Sequence, residues 1–282
     1  MPTPDLTGRV CVVTGASAGI GTETCLALAR LGATVVMVGR RPEKARAAHE
    51  RVSRESGRDD VELLLGDFSR LDEVRRVAAE VLERHPVLQV LVNNAGTATR
   101  ERRTTVDGLE ETFAVNHAAP FLLTHLLLGA LQAGAPSRVV TVSSLAHKGG
   151  SIDFSDLQAE RRWSSFRAYA DSKLANVLFT RELARRTAGT GVTAYAVHPG
   201  AVRTALFREN RFLGLVYRAV PFMRTPRAGA RTTVWAATEP ALAAQSGGYY
   251  ASRRPATISP TAADDTLAGL LWDETARLVG LG

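Results

Sequence analysis

The sequence predicts a single α/β domain, a doubly wound parallel sheet with helices on both faces. Short apolar runs that are typical of buried strands alternate with helical patterns along the chain. Such alternation produces parallel strands joined by crossover helices. No internal repeat and no long linker rich in Pro, Gly or Ser divides the 282 residues, so one domain over 1–282 is the simplest interpretation.

Seven segments have the composition of strands. The first, Val10–Thr14, is apolar almost throughout, which is typical of a strand buried on both faces. The same β-branched and apolar character predicts strands over 34–38, 61–65, 88–92, 138–143, 192–197 and 248–251.

Helical periodicity fills most of the intervals between these strands. Pro42 suits a first helical position, and it begins the second predicted helix. The predicted helices cover 20–31, 42–56, 71–84, 108–133, 165–187, 226–237 and 261–279. The irregular stretches 97–105, 146–162 and 203–225 follow strands, so they are expected to border the ligand crevice at the carboxyl ends of the strands.

Composition argues against several other classes of protein. The net charge is +7, but the arginines are spread along the chain without a basic tract, so nucleic-acid binding is not expected. No apolar run of about 18 residues and no signal-peptide pattern occurs, so we expect a cytoplasmic protein without an integral membrane segment. Cys11 and Cys25 lack metal-type spacing, so we expect free buried thiols and no metal site.

A glycine-rich turn, Gly15-Ala-Ser-Ala-Gly-Ile-Gly21, links the first strand to the first helix. Glycines permit a tight turn and let backbone N–H groups approach a pyrophosphate, and the helix N-terminus adds its positive dipole end. In this position the turn predicts a Rossmann-type dinucleotide-binding domain rather than a merely structural turn. The predicted cofactor contacts here are Gly15, Ser17, Ala18, Gly19, Ile20 and Gly21.

The end of the second strand predicts which cofactor binds. Arg40 and Arg41 stand where an NAD-binding domain carries an acidic residue, and guanidinium groups pair well with a 2′-phosphate. NADP(H) is therefore favoured over NAD(H), although Arg41 could instead be a solvated residue at a helix start.

Residues after the third and fourth strands are expected to line the adenine and ribose of the cofactor. These residues are Asp67, Phe68, Asn93, Ala95 and Gly96. The alternative for Asn-Asn-Ala-Gly is a plain turn.

Tyr169 and Lys173 form the strongest catalytic candidate. Four residues is about one helical turn, so the two side chains share a helix face. A free tyrosine has a pKa of about 10, and a neighbouring ammonium favours the phenolate, which brings proton exchange toward neutral pH. An ordinary pair on a helix surface has the same spacing, and the motifs elsewhere in the chain decide against that alternative.

Together these motifs resemble the short-chain dehydrogenase/reductase family. The matching residues, in the family's order, are the glycine-rich turn, Asn-Asn-Ala-Gly at 93–96, Asn116, Ser143-Ser144, Tyr169-x-x-Ser-Lys173 and His-Pro-Gly at 198–200. Within the family the chain is similar to the retinol-dehydrogenase-like branch, through segments 142–147, 172–180, 198–204 and 246–250. One departure is that Asp5-Leu-Thr-Gly-Arg9 leads straight into the first strand, whereas many animal members of the branch begin with a hydrophobic anchor.

The resemblance implies a role for each matching residue. Tyr169 would donate a proton to a carbonyl during reduction, or accept one from an alcohol during oxidation. Lys173 would assist Tyr169 and bind the nicotinamide ribose, and Asn116 would anchor a water that links Lys173 to solvent. Ser144 would hold the substrate oxygen. The residues implied to line the nicotinamide are Pro199, Gly200, Val202 and Thr204.

Some of these roles stay open at the level of sequence. The sequence alone does not choose between Ser143 and Ser144 as the substrate-binding serine, and Asn116 could cap or bend its helix. Because the tyrosine already supplies the proton, structural or solvent-facing roles are expected for His117 and His147. Asp171, next to Ser172 inside the motif, is expected to be a solvated helix position.

The sequence therefore predicts an oxidoreductase that transfers a hydride between NADP(H) and a carbonyl/alcohol pair, with reduction of a lipophilic aldehyde or ketone favoured. The alternatives are an NAD-linked alcohol dehydrogenase and a catalytically idle NADP-binding sensor or scaffold. The stretch 203–225 is expected to be a substrate lid, with a lipid-touching surface or a plain packed helix as alternatives. The family resemblance also implies that the helices over 108–133 and 165–187 can pair two copies of the chain as a homodimer.

Overall fold

The strands pair into one sheet. The computed structural model describes residues 4–202 and 223–281. The strands in this part of the chain are β1 Val10–Thr14, β2 Thr34–Gly39, β3 Val61–Leu65, β4 Val90–Asn93, β5 Ser137–Val142, β6 Val192–His198, β7 Tyr249–Ala251 and β8 Arg254–Pro255. Their order is β3-β2-β1-β4-β5-β6-β7-β8. All neighbours are parallel except β7 and β8.

Helices cover both faces of the sheet. They are α1 Gly19–Arg30, α2 Pro42–Ser56, α3 Leu71–Arg84, α4 Glu111–Ala133, α5 Ser165–Arg186, α6 Pro226–Thr238 and α7 Asp265–Leu278. Side chains of α1, α2 and α6 share one apolar core with one face of the sheet. Side chains of α3, α4, α5 and α7 share a second core with the opposite face. The prediction of a doubly wound α/β fold is thus confirmed.

The predicted elements differ from the observed ones mainly at their ends. The fourth helix was predicted from residue 108 but begins three residues later, at Glu111. The reason is that Gly108 has a φ of +79° and the Glu110 carboxylate caps the N–H of Phe113. The last predicted helix is divided at Asp264, whose side chain caps α7 after a short 3₁₀ turn, Thr261–Ala263. Strand β8 was not predicted, since two residues carry no alternation, and it makes the sheet edge antiparallel.

Helix α4 is the described helix that has the length and hydropathy of a membrane span. However, 78% of its most apolar window is buried inside the fold. Its Phe121, Leu122 and Leu123 belong to the core shared with α3 and α5. We therefore regard it as a core helix that is apolar all round because neighbours surround it.

The order of the strands creates the ligand crevice. Strand β1 lies between β2 and β4, so the chain reverses its direction of travel across the sheet at β1. In this register Thr14 pairs with Val38 and Val13 pairs with Val92, which brings the carboxyl ends of three strands to the same edge. A reversal of strand order is where open α/β sheets bind ligands.

Candidate active site

In the glycine-rich turn, the backbone around Gly15 lies very close to the start of α1 at Gly21. Gly15 and Gly19 have φ values of +64° and +59°, which favour glycine. A Cβ on Gly21 would lie 2.3 Å from the carbonyl oxygen of Gly15. Ala18 is the N-cap of α1 and has no side-chain acceptor, so no side chain caps the first N–H groups of the helix. These donors and the positive end of the helix dipole suit a phosphate group.

Asn94 holds this turn against the end of β4. Its Nδ2 donates to the carbonyl oxygens of Thr14 and Gly15 at 2.8 and 3.2 Å. In return, the Thr14 hydroxyl accepts from the N–H groups of Asn94 and Ala95, both at 3.0 Å. The sequence prediction singled out Asn93, Ala95 and Gly96 but missed this clamp. Alternation of side chains at a strand end was the signal that could have revealed it.

The side chains of two predicted cofactor residues point elsewhere. The Asn93 amide is 2% exposed and donates to Thr124 Oγ1 of α4 at 2.9 Å, so it faces the core rather than the crevice. The Phe68 ring is 5% exposed and belongs to the core beneath α3. A contact of either residue with the cofactor would therefore come from its backbone, and both residues stay predicted cofactor neighbours.

The end of β2 presents an exposed charge pair. Arg40 Nη1 lies 3.8 Å from Asp67 Oδ1, and both side chains are more than a third exposed. Asp67 also accepts hydrogen bonds from the backbone and hydroxyl of Ser69 at 3.0 and 2.8 Å. Arg41 is the exposed N-cap residue of α2. Among the described residues, the Arg40 guanidinium is therefore held by one long surface ion pair, which a ligand phosphate can displace.

Tyr169 and Lys173 lie together on the buried face of α5. The Lys173 ammonium is 5.6 Å from the centroid of the Tyr169 ring, and the two residues are 8% and 4% exposed. Lys173 Nζ donates to the Val142 carbonyl at the end of β5 at 3.1 Å. Burial lowers the pKa of Lys173 from 10.5 to about 8. The ammonium is still mostly protonated at pH 7.

Asn116 lies in a π-helical turn, Ala114–Ala118, within α4. Its amide exchanges two hydrogen bonds with the backbone of Thr97, at 2.7 and 3.0 Å, and donates to Ser172 Oγ at 2.9 Å. A Cβ on Gly96 would lie 3.3 Å from Asn116 Oδ1 and 3.6 Å from Lys173 Nζ. Asn116 and Lys173 therefore border one space above Gly96. Single π turns inside α-helices are frequent at functional sites.

The structure separates the two adjacent serines. Ser143 is 1% exposed, and its hydroxyl donates to the Lys173 carbonyl at 2.7 Å, which ties β5 to α5. The Ser144 hydroxyl accepts from the Ala146 N–H at 3.2 Å. Within the described residues the Ser144 hydroxyl hydrogen has no acceptor, which leaves it available for a substrate oxygen. The geometry thus favours Ser144 over Ser143 for that role.

The segment after β6 packs over the start of α1. Gly200 has a φ of +88°, and Pro199 beside it is buried. A Cβ on Gly229 of α6 would lie 2.6 Å from Val202 and 3.2 Å from Ile20, so both side chains meet at α6. Thr204 and most of the predicted lid, 203–225, lie outside the described residues.

Comparison with known proteins identifies the family of this chain. The family model described as short chain dehydrogenase matches residues 9–212. This chain belongs to that family. Human (Homo sapiens) retinol dehydrogenase 12 is 43% identical over 277 residues, which cover 98% of this chain and 88% of that protein. Dehydrogenase/reductase SDR family member 13 of Bos taurus is 44% identical over 283 residues, covering 98% and 74% of the two chains.

Solved structures agree with this placement. An uncharacterized protein from Mycobacterium paratuberculosis has a TM-score of 0.81 at 36% identity, with 99% of this chain and 96% of that chain covered. The RhlG/NADP active-site complex of Pseudomonas aeruginosa has a TM-score of 0.72 at 25% identity, with 95% and 99% covered. The chain is thus a short-chain dehydrogenase/reductase of the retinol-dehydrogenase-like branch, an alcohol/carbonyl oxidoreductase with a nicotinamide cofactor.

His117 and His147, the histidines that could be mistaken for acid–base groups of this short-chain dehydrogenase/reductase, are buried. His147 Nδ1 donates to the Ser144 carbonyl at 2.7 Å, and its Nε2 accepts from the Ser259 N–H at 3.4 Å. His117 lies against Phe113 and reaches the Thr275 hydroxyl at 3.0 Å. Burial lowers the pKa of His117 to about 4, so it stays neutral at pH 7. These contacts support structural roles.

Asp171 corrects the expectation of a solvated position. It accepts from the Ser151 N–H at 2.7 Å and lies 3.5 Å from Arg167, so it ties the loop after β5 to α5. Burial raises the pKa of its carboxyl group. The same loop follows Ser144, so Asp171 helps to fix one wall of the site.

Proposed function

We propose that this short-chain dehydrogenase/reductase reduces lipophilic aldehydes or ketones with NADPH. The observation that carries the proposal is that Asn116 and Lys173 border one space above Gly96, while the Lys173 ammonium lies 5.6 Å from the Tyr169 ring. Gly96 follows β4, Asn116 lies in α4, and Tyr169 and Lys173 lie in α5, so the site joins segments that are far apart in the sequence. An idle binding module would not need a buried ammonium beside a buried phenol.

Features of the crevice support a dinucleotide with a 2′-phosphate. The uncapped N-terminus of α1 would hold the pyrophosphate, and Gly15 and Gly21 leave no room for side chains there. Arg40 would exchange its 3.8 Å ion pair with Asp67 for the 2′-phosphate. The complex of RhlG with NADP supports the same choice at the level of the family.

The chain's own residues would handle the proton. When bound, the nicotinamide supplies the hydride to the carbonyl carbon. Tyr169 would donate its phenolic proton to the carbonyl oxygen, and the Lys173 ammonium would stabilise the phenolate that remains. Lys173 keeps two N–H donors that no described residue accepts, since its ammonium donates to the Val142 carbonyl alone. Those donors would bind the nicotinamide ribose and a water near Asn116.

Apolar side chains near the site support a lipophilic substrate. Leu145 directly follows Ser144 and is 56% exposed. Phe166 lies one helical turn before Tyr169 and is 55% exposed. Its ring approaches Gly149, at the end of the short helix that Leu145 begins. Exposed apolar surface beside a catalytic group indicates a binding role.

The test is a chain-length series of n-alkanals with NADPH and with NADH. We expect kcat/KM to rise with chain length, by up to about fourfold for each methylene that is fully buried, and to be higher with NADPH. Leu145→Ser should flatten that dependence. Leu270→Ser on α7 is a matched control, because Leu270 is 54% exposed but lies far along the chain from the motif residues.

Three outcomes would contradict the proposal. Tighter binding and faster turnover with NADH would favour an NAD-linked alcohol dehydrogenase. Tight NADPH binding without turnover of any aldehyde or ketone would favour an idle sensor. If kcat/KM depends on chain length equally in Leu145→Ser and in the wild type, the apolar rim does not contact the substrate.

A further inference from the structure

A groove separates the outer surfaces of α1 and α6, away from the residues proposed for catalysis. Its volume is about 1140 Å³, slightly more than is usual for small-molecule sites. None of the residues assigned to the nicotinamide cofactor or to proton transfer lines it. The short-chain dehydrogenase/reductase chemistry therefore leaves this groove without a role.

The floor of the groove is apolar. Leu26 of α1 is 4% exposed, and Leu31 follows just beyond the end of that helix. Val234 and Trp235 of α6 are half-buried and line the opposite side. The Trp235 indole N–H is already satisfied by Glu239 at 3.1 Å, so the ring offers only apolar surface to a ligand.

The rim of the groove is positively charged. Arg227 and Arg231, one turn apart on α6, are exposed and have no hydrogen bond or ion pair within the described residues, and the same holds for Arg253. The two acidic residues of the rim are occupied. Glu23 pairs with Arg51 at 2.7 Å, and Glu239 binds the Trp235 indole and the Ala241 N–H. Uncommitted guanidinium groups beside an apolar floor suit a carboxylate with an apolar tail.

We propose that this groove binds one long-chain carboxylate anion, a free fatty acid. A flat bilayer fits the surface less well, because the large exposed apolar side chains among the described residues lie outside the groove, as at Val106 and Leu270. A second copy of the chain is also disfavoured. A two-fold contact would bring the unpaired arginines of both copies together. The proposal does not depend on the reductase activity.

The test is a calorimetric titration of the cofactor-free protein with dodecanoate, below the concentration at which it forms micelles. The Arg227→Gln/Arg231→Gln variant should bind dodecanoate at least tenfold more weakly than the wild type. Octanoate should bind the wild type at least tenfold more weakly than dodecanoate, because it lacks four methylene groups. The matched control is Arg46→Gln/Arg54→Gln, which removes two exposed arginines of α2 that have no hydrogen bond or ion pair within the described residues, and it should bind like the wild type.

A second variant separates this groove from the substrate site. Leu145→Ser alters the rim of the substrate site and should leave dodecanoate affinity unchanged. Loss of dodecanoate binding in Leu145→Ser, or equal affinity in the wild type and Arg227→Gln/Arg231→Gln, would overturn the proposal. Binding to phosphatidylglycerol vesicles without binding of monomeric dodecanoate would also overturn it. An enzyme that turns over no carbonyl would leave the titration unaffected, so the two proposals fail independently.

Discussion

Replacing Lys173 with methionine should stabilise the cofactor-free protein while abolishing turnover. The ammonium is 4% exposed, and burial lowers its pKa from 10.5 to about 8. A difference of roughly 2.5 pKa units corresponds to about 3 kcal/mol of unfavourable folding free energy at pH 7, where the side chain is charged in both states. Methionine fills a similar volume without the charge. The Val142 carbonyl keeps a partner, because Asn176 Nδ2 also donates to it at 3.2 Å.

The sign of this effect fixes its pH dependence. Because the folded protein releases the Lys173 proton near pH 8 and the unfolded chain near 10.5, the unfolded state binds more protons between these values. Wild-type stability relative to Lys173→Met should therefore rise with pH. The advantage of the variant should shrink from about 3 kcal/mol at pH 7 to about 1 kcal/mol at pH 10.

Urea unfolding of both proteins at pH 7 and pH 10, without cofactor, measures these differences. Comparing wild type with variant at each pH cancels the titration of other groups. Lys148→Met is the control. Lys148 is exposed, and its one hydrogen bond to a described residue is to Thr257 at 3.1 Å, so its loss should change stability by no more than about 0.5 kcal/mol. A Lys173→Met protein that is less stable than the wild type, or a gap that does not narrow with pH, would refute the reasoning.

The other predictions concern turnover, cofactor choice and the paired serines. Tyr169→Phe should lower kcat by about 10²- to 10⁴-fold while fluorescence titration shows unchanged NADPH affinity; substantial remaining turnover would refute the proton-donor role. Arg40→Ala should weaken NADPH binding by about tenfold or more and leave NADH nearly unchanged, and an equal loss for both would contradict the 2′-phosphate contact. Ser144→Ala should lower kcat with little change in Tm. Ser143→Ala should instead lower the free energy of unfolding by about 1 kcal/mol, because it removes the hydrogen bond to the Lys173 carbonyl. The reverse pattern would exchange the roles of the two serines.

Most of the sheet was predictable from local sequence, because buried parallel strands are short apolar runs such as Val10–Thr14. The clamp by Asn94 was not, since it requires knowing that β4 lies beside β1. The π turn at Asn116 could not be predicted from periodicity either, because α4 is apolar all round and one extra residue therefore leaves no visible break in its pattern. The spacing of Tyr169 and Lys173 predicted that they share a helix face, but it did not predict that both are buried. Burial is what lowers the pKa of the lysine.

The buried lysine is held at both of its ends. Its side chain donates to the Val142 carbonyl at 3.1 Å, and its backbone carbonyl accepts from the Ser143 hydroxyl at 2.7 Å. Val142 at the end of β5 and Ser143 directly after it thus anchor one residue of α5 twice, and Ser144 follows next in the chain. Since the ammonium costs folding free energy, this double anchor keeps an unfavourable charge in one place instead of letting it relax toward solvent. In the proposed reaction, such preorganisation would let Lys173 act on Tyr169 without reorganisation, at the expense of stability.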